Sequence, residues 1–281
     1  MFERQGDSRA GQLALAGLLL ALSLLGCRPR RDVTWERVRE TGVLRVGMDA
    51  SFPPFEAIAA DGSLVGFDVD LARELSRRLG VDPQFVANLP YDGLYDALTA
   101  QRVDVVISAL VVNPARTADF AYSRSYFNAG QVLVVQEGED GIRSVADLHD
   151  HRLAVVLGTA GDREARGWAR RSEALVLVPY PTPREALNAL EVGEAHAALV
   201  DHVSALEAMG AGGDLTIVGG PVVDVPYAVA MREDSQRLLR EINGALAAME
   251  EDGTLDRLMR TWLRGESRVA PLSCGPQLVR R

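Results

Sequence analysis

The feature that most limits the fold of this chain is a rhythm. Short apolar runs alternate with amphipathic helical segments, and the pattern runs through twice. Val43–Met48 reads as a strand; "FDVDLARELSRRLG" then sets Phe67, Leu71, Leu75 and Leu79 four apart on one helical face, with Gly80 as its stop. A second strand begins at Phe85–Val86, a helix covers Leu94–Gln101, and "VDVVIS" (103–108) is a third, buried strand. The rhythm restarts after "QVLVVQ" (131–136) with a strand at Leu153–Leu157, a capping box with proline at the first helical position in "TPRE" (182–185), and strands at "AALV" (197–200) and "LTIV" (215–218). "VPYAVAM" (225–231) is a further extended run, followed by two helices with apolar stripes Leu239, Ile242, Leu246, Met249 and Leu255, Leu258, Trp262. Strand–helix alternation predicts a parallel sheet covered on both faces. Two such units, the second sheet the smaller, predict two α/β lobes joined by two extended connections.

At 281 residues the chain exceeds the usual single-domain size, so two lobes suit its length. Its 39 acidic against 30 basic residues give a formal charge of −9, which repels nucleic-acid phosphates and excludes that class of partner. No nucleophile elbow, P-loop or paired cysteines occur, so neither a catalytic site nor a cofactor is expected. "HDH" (149–151) falls in a polar turn rather than a metal cluster, and the glycine-rich "GAGGD" (210–214) precedes a strand and reads as a turn.

The N-terminus carries a targeting segment. Arg4 and Arg9 precede the uncharged Leu13–Gly26, which is too short to span a bilayer comfortably and stops at Cys27. "LLGC" resembles the lipobox of bacterial lipoprotein signals, whose cysteine is lipidated; an ordinary signal peptide with an incidental cysteine also fits. Residues 1–26 are thus expected as a signal peptide, 27–42 as a tether with a short helix at "WERVRE", 43–130 and 226–265 as one lobe, 131–225 as the other with the hinge strands, and 266–281, containing Cys274, as a tail.

In "ISALVVNPARTADF" (107–120), Arg116 follows an apolar run and a proline turn, with no acid before Asp119. It reads either as a solvated helix-start residue or as a guanidinium waiting for a carboxylate that the chain does not supply. Six segments in order bear on that choice: "LRVGMDASFPPFE", "GFDVDLARELSRRLG", "YDGLYDAL", "DVVISALVVNPAR", "YFNAGQVLVV" and "LGTAGD". Together they resemble the bacterial extracellular solute-binding proteins of family 3, polar amino-acid receptors of ABC importers, over roughly residues 40–265.

The resemblance implies a periplasmic-binding-protein-like type II fold and a monomer that closes on a small amino acid and delivers it to an ABC permease outside the cytoplasm, anchored to the membrane through Cys27. It also implies site residues. Arg116 would grip the ligand α-carboxylate, a planar fork meeting it bidentately. Ser108 lies on the same segment, where backbone and hydroxyl groups face the ligand. Thr159 would offer a helix-start anion site, Asp201 would hold the α-ammonium, Phe52 and Tyr91 would sandwich the aliphatic part, and Asp49 would touch the side chain. Plainer readings stand beside these: Thr159 and Asp201 as helix caps, Phe52 as loop packing, Tyr91 as a core aromatic. Val111 departs from the family, replacing a usual serine or threonine, and Ala160 replaces a frequent hydroxyl residue. Two other functions fit the same fold, a periplasmic enzyme resembling cyclohexadienyl dehydratases, with Asp49 or Glu56 as its acid, and a sensory module.

Overall fold

The computed structural model describes residues 33–172 and 174–265; the targeting segment, Cys27 and the 266–281 tail lie outside the described residues. Helix α1 (Val33–Thr41) leads into β1 (Val43–Gly47). A small three-stranded sheet of β2 (Ser51–Phe52), β3 (Glu56–Ile58) and β4 (Leu64–Val65) follows, then α2 (Phe67–Leu79), β5 (Asp82–Val86), α3 (Leu94–Thr99) and β6 (Val105–Val106). β7 (Phe120–Asn128) passes directly into β8 (Gln131–Gln136). The second unit continues through β9 (Arg152–Val156), α4 (Ala160–Ala169), β10 (Val176–Tyr180), α5 (Pro183–Glu191), β11 (Ala197–Asp201), α6 (His202–Gly210) and β12 (Leu215–Val223). β13 (Pro226–Arg232), α7 (Gln236–Glu251) and α8 (Thr254–Leu263) complete the chain.

Helix α2 forms where the apolar spacing predicts. Phe67, Leu71 and Leu75 are buried, and Gly80 ends the helix at φ 70°, a left-handed cap whose amide reaches the Arg77 and Ser76 carbonyls. Asp68 on the same face is also buried, which the site explains.

The two lobes each carry a five-stranded sheet, β5-β1-β6-β13-β7 and β10-β9-β11-β8-β12. The second is therefore not the smaller, and neither is wholly parallel. β1 pairs in parallel with β5 and β6, and β9 with β10 and β11, whereas β7, β8, β12 and β13 pair antiparallel. The reason is connectivity. A parallel pair needs a crossover helix between its strands, but β7→β8 and β12→β13 run straight from one sheet into the other, so these four strands form one antiparallel ribbon through both lobes.

In the first lobe one face of the sheet packs on α1, α2, α7 and α8 and the other on α3, so Leu44, Val46, Phe67, Ile242 and Met249 lie in one core and Leu94, Leu98, Val106 and Phe120 in another. In the second, Val134, Val200 and Leu187 fill one face, and Leu133, Val155 and Leu199 the other. Leu206 of α6 joins the first lobe's core together with Leu263 of α8, and α8 packs on α6 as well as on α2 and α7, so the last helix links the two lobes.

The crossing itself is built around Asn128. Its Oδ1 accepts the amides of Gly130 (2.9 Å) and Val225 (3.1 Å), and its Nδ2 donates to Asp224 (2.7 Å). Gly130 sits so close to the other strand that a Cβ there would meet the Val223 carbonyl oxygen at 1.6 Å. Only glycine fits.

Candidate functional site

The parallel strands aim their C-terminal ends at the crossing. β6 runs against β13, which enters from the crossing, and β11 runs against β8, which leaves it, with Asp201 opposite Gln131. In open α/β sheets the C-terminal strand edge is where ligands bind. Asp49 and Ser108 follow β1 and β6 in one lobe, and Thr159 and Asp201 stand at the ends of β9 and β11 in the other, so four sequence-selected residues occupy the two facing edges.

On the first lobe, Asp49 is a bracket. Its Oδ2 accepts the Tyr91 amide (3.0 Å), its Oδ1 accepts the Ser51 hydroxyl (2.7 Å), and its own amide donates to Ser108 Oγ (3.0 Å). Both carboxylate oxygens are thus engaged, Oδ2 in fixing the turn that carries Tyr91 and Oδ1 in holding Ser51. Ser108 is fully buried, and its hydroxyl donates to Glu56 Oε1 at 2.7 Å. The expected ligand-facing hydroxyl therefore points inward, because Glu56 and the Asp49 amide use it.

Behind Ser108 lies a feature that periodicity alone conceals. Glu56 (1 % exposed) and Asp68 (0 %) are buried together. Asp68 Oδ2 accepts the Ala109 amide (2.5 Å) and the Tyr126 hydroxyl (2.9 Å). Glu56 Oε2 and Asp68 Oδ1 have no partner when both groups are drawn ionised. One shared proton, on Glu56 and donated to Asp68, satisfies both oxygens and halves the buried charge. Burial, then the Asp68 charge, pushes Glu56 up to about 10, and burial raises Asp68 to about 6 against the Ala109 and Tyr126 hydrogen bonds. The pair also holds Ala109 at φ 44°, a conformation that costs a residue with a side chain. That kink turns the chain outward, and Val111 bridges to Tyr227 at the start of β13.

The result is an apolar rim. Phe52 (50 % exposed), Tyr91 (46 %) and Val111 (38 %) are large apolar side chains left in solvent on the first lobe, and Leu157 (51 %) precedes Thr159 on the second. Phe52 stacks on the buried Phe55 at 5.8 Å, which fixes its ring. Burial raises the Tyr91 hydroxyl, and the Val111 amide opposes that shift. Arg116 follows, exposed, at the end of the 3-10 turn Pro114–Arg116 that Asn113 caps. Its guanidinium lies 4.4 Å from the Tyr95 ring centroid.

The second lobe offers helix ends. Thr159 caps α4, accepting the Asp162 amide (3.2 Å), and Asp201 caps α6 through the Ser204 amide (2.9 Å). The plainer capping role of both is thus realised in this structure, and it leaves the helix N-termini directed at the shared edge. Asp162 carries the burial that would push it up, yet the Gly158 amide and Arg166 hold it below the usual carboxylate range. Among the described residues no cluster of three or more His, Cys, Asp or Glu side chains suits a metal; His151 and His196 meet Nδ1 to Nδ1 at 3.0 Å, and His196 Nδ1 also accepts the Arg152 amide at 3.3 Å.

Several residues that shape the site were not singled out from sequence: Tyr95, Asp68, Asn128 and Tyr227. Asp68 had a signal, since it shares a helical face with Leu71 and Leu75 and so had to be buried. Tyr95 had one too, lying four residues after Tyr91.

Comparison with known proteins agrees with this architecture. The family model described as "Bacterial extracellular solute-binding proteins, family 3" matches residues 44–265. The L-cystine-binding protein TcyJ of Escherichia coli (strain K12) is 30% identical over 258 residues, covering 90% of this chain and 95% of that protein. The histidine-binding periplasmic protein of Salmonella typhimurium (strain LT2) is 32% identical over 229 residues, 78% of this chain and 86% of that one. Among solved structures, an ancestral cyclohexadienyl dehydratase matches with a TM-score of 0.72 at 27% identity, covering 82% of this chain and 96% of that one. A match to the family model across both lobes places the chain among the bacterial extracellular solute-binding proteins of family 3.

Proposed function

We propose that this chain captures a small amino acid, or a similar zwitterion, outside the cytoplasm and presents it to the permease of an ABC importer. The observation that carries the reading is the division of charge between the lobes. Arg116 stands on the first lobe and Asp201 on the second, and a ribbon with two tight crossings joins them. A ligand with a carboxylate and an ammonium gains both partners only when the lobes approach, so it stabilises the closed state by differential contact. Phe52, Tyr91 and Val111 would cover its apolar part. The relatives named for cystine and histidine support an amino-acid ligand. The same reading makes Cys27 a lipid anchor and the receptor a monomer.

The dehydratase neighbour raises an enzymatic alternative, for which Asp49 or Glu56 would be the acid. Binding is favoured because Glu56 is 1 % exposed and both Asp49 oxygens are occupied by Tyr91 and Ser51. A thermal-shift screen of the purified protein against the twenty amino acids, cystine, prephenate and arogenate tests both readings. Stabilisation by one or a few amino acids without turnover supports capture. Release of product from prephenate or arogenate overturns it.

A further inference from the structure

Arg116 has an unusual partner. Asp96, Asp119, Glu233 and Asp234 line the same groove, of about 530 Å³, yet among the described residues none forms an ion pair with it. Asp234 pairs with Arg232 instead, at 3.5 Å. The guanidinium rests on a ring, that of Tyr95.

That ring is held from two sides. The Tyr95 hydroxyl is 2.8 Å from the Tyr122 hydroxyl, which β7 carries, and its ring packs on Phe120 at 4.8 Å between centroids. Tyr95 is half-buried on α3, so neither contact depends on a mobile loop. Burial and the Tyr122 hydrogen bond both raise the Tyr95 hydroxyl above its usual value, so the ring stays neutral at physiological pH.

The choice of an aromatic partner has a chemical consequence. A carboxylate would occupy the in-plane N–H groups of the guanidinium and cancel its charge. An aromatic face takes only the flat side of the cation, leaving the five in-plane donors and the full charge for a ligand. The contact need not break when a carboxylate binds, and it restricts a long side chain before binding, lowering the ordering cost.

We propose that Tyr95, braced by Tyr122 and Phe120, is a positioning residue that holds Arg116 ready for the ligand carboxylate and so sets the affinity for carboxylate-bearing ligands. This rests on the reading of Arg116 given under the proposed function. Tyr95 acts through Arg116 and does not itself touch the ligand.

The test uses calorimetric titration of the full-length purified protein with two probes. One is whichever amino acid of the screen, cystine included, binds tightest; the other is its own α-carboxamide, which lacks the carboxylate charge. Tyr95→Leu should weaken the free acid by up to about tenfold, the cost of ordering one long side chain on binding, and leave the carboxamide almost unchanged. Tyr95→Phe keeps the ring and should restore most of the affinity. Tyr95→Met carries the same expectation as leucine and serves if leucine prevents folding. Equal weakening of acid and carboxamide, an unaltered Tyr95→Leu, or a Tyr95→Phe as weak as Tyr95→Leu would each overturn the proposal. Arg116→Met separates the two levels. If it leaves acid binding intact, the assignment of Arg116 is wrong and Tyr95 falls with it. If no amino acid binds the wild type at all, the capture function itself is wrong.

Discussion

The two facing edges of this molecule are built from different materials. The first lobe presents side chains, an aromatic pair, Phe52 and Tyr91, and the apolar Val111, while Arg116 rests on the Tyr95 ring in a separate groove of the same lobe. Their loops are braced from behind by Asp49, Ser108 and the buried Glu56–Asp68 pair. The second lobe presents two capped helix ends beside each other, at Thr159 and Asp201. A face with fixed side chains can select a ligand before closure; a face of helix ends adds dipoles and one acid once the lobes meet. Under the proposed capture, the difference would have the ligand dock on the first lobe before the second closes over it.

Substitutions can break that contrast, beginning with the largest effect. Arg116→Met should weaken an α-amino acid by two orders of magnitude or more, the loss of a bidentate charge-assisted pair worth about 3 kcal/mol. The unliganded melting temperature should stay near that of wild type, since among the described residues Arg116 has no ion pair. A large loss of unliganded stability would return Arg116 to a structural role.

The bracing of the first lobe is the next target. Asp68→Ala strands the Ala109 amide, the Tyr126 hydroxyl and the Glu56 carboxyl, and should cost roughly 3–5 kcal/mol of unfolding free energy. Glu56→Gln should match wild type below about pH 4.5, where Glu56 is protonated folded and unfolded alike, and exceed it in stability as pH rises, because its amide donates to Asp68 as the shared proton does and does not titrate. The pH dependence has a definite sign. Glu56 is raised from 4.5 to about 10, so its contribution is fully present below about pH 4.5 and is lost as pH rises towards 10. Denaturation midpoints across that window should fall with pH in wild type and flatten in Glu56→Gln. Parallel curves for the two proteins would mean that the pair does not share a proton.

The second lobe should respond least. Asp201→Asn keeps the helix cap, because asparagine caps about as well as aspartate, but removes the charge facing an ammonium. About tenfold weaker binding is expected for an α-amino acid, and little change for the matching acid without its ammonium. Equal loss for both ligands would leave Asp201 with capping alone and the second lobe with helix ends only.

Much of the fold was legible because long helices and buried strands carry strong periodic signals. What escaped has physical causes. β10 reads "VLVPY", and its proline argues against a strand except at an edge, where it lies; β5, "DPQFV", is expected only from Phe85 because its proline hides the first three residues, and it too is an edge strand. β2, β3 and β4 are two or three residues long, too short for a period to show. The mixed character of the sheets depends on the chain passing between lobes, which local pattern does not encode. At the site, the charged and aromatic candidates were visible as residue types in a familiar order. The inward turn of Ser108 and the ring beneath Arg116 were not, because each depends on a partner distant in sequence: Glu56, 52 residues away, and Tyr95, brought up by a separate helix.

Capture by closure is the centre of this account, and small-angle X-ray scattering with and without the tightest-binding amino acid tests it most directly. The account predicts a smaller radius of gyration on saturation for wild type, and no such change for Arg116→Met at the same amino-acid concentration. Saturable binding to wild type with no compaction would contradict it.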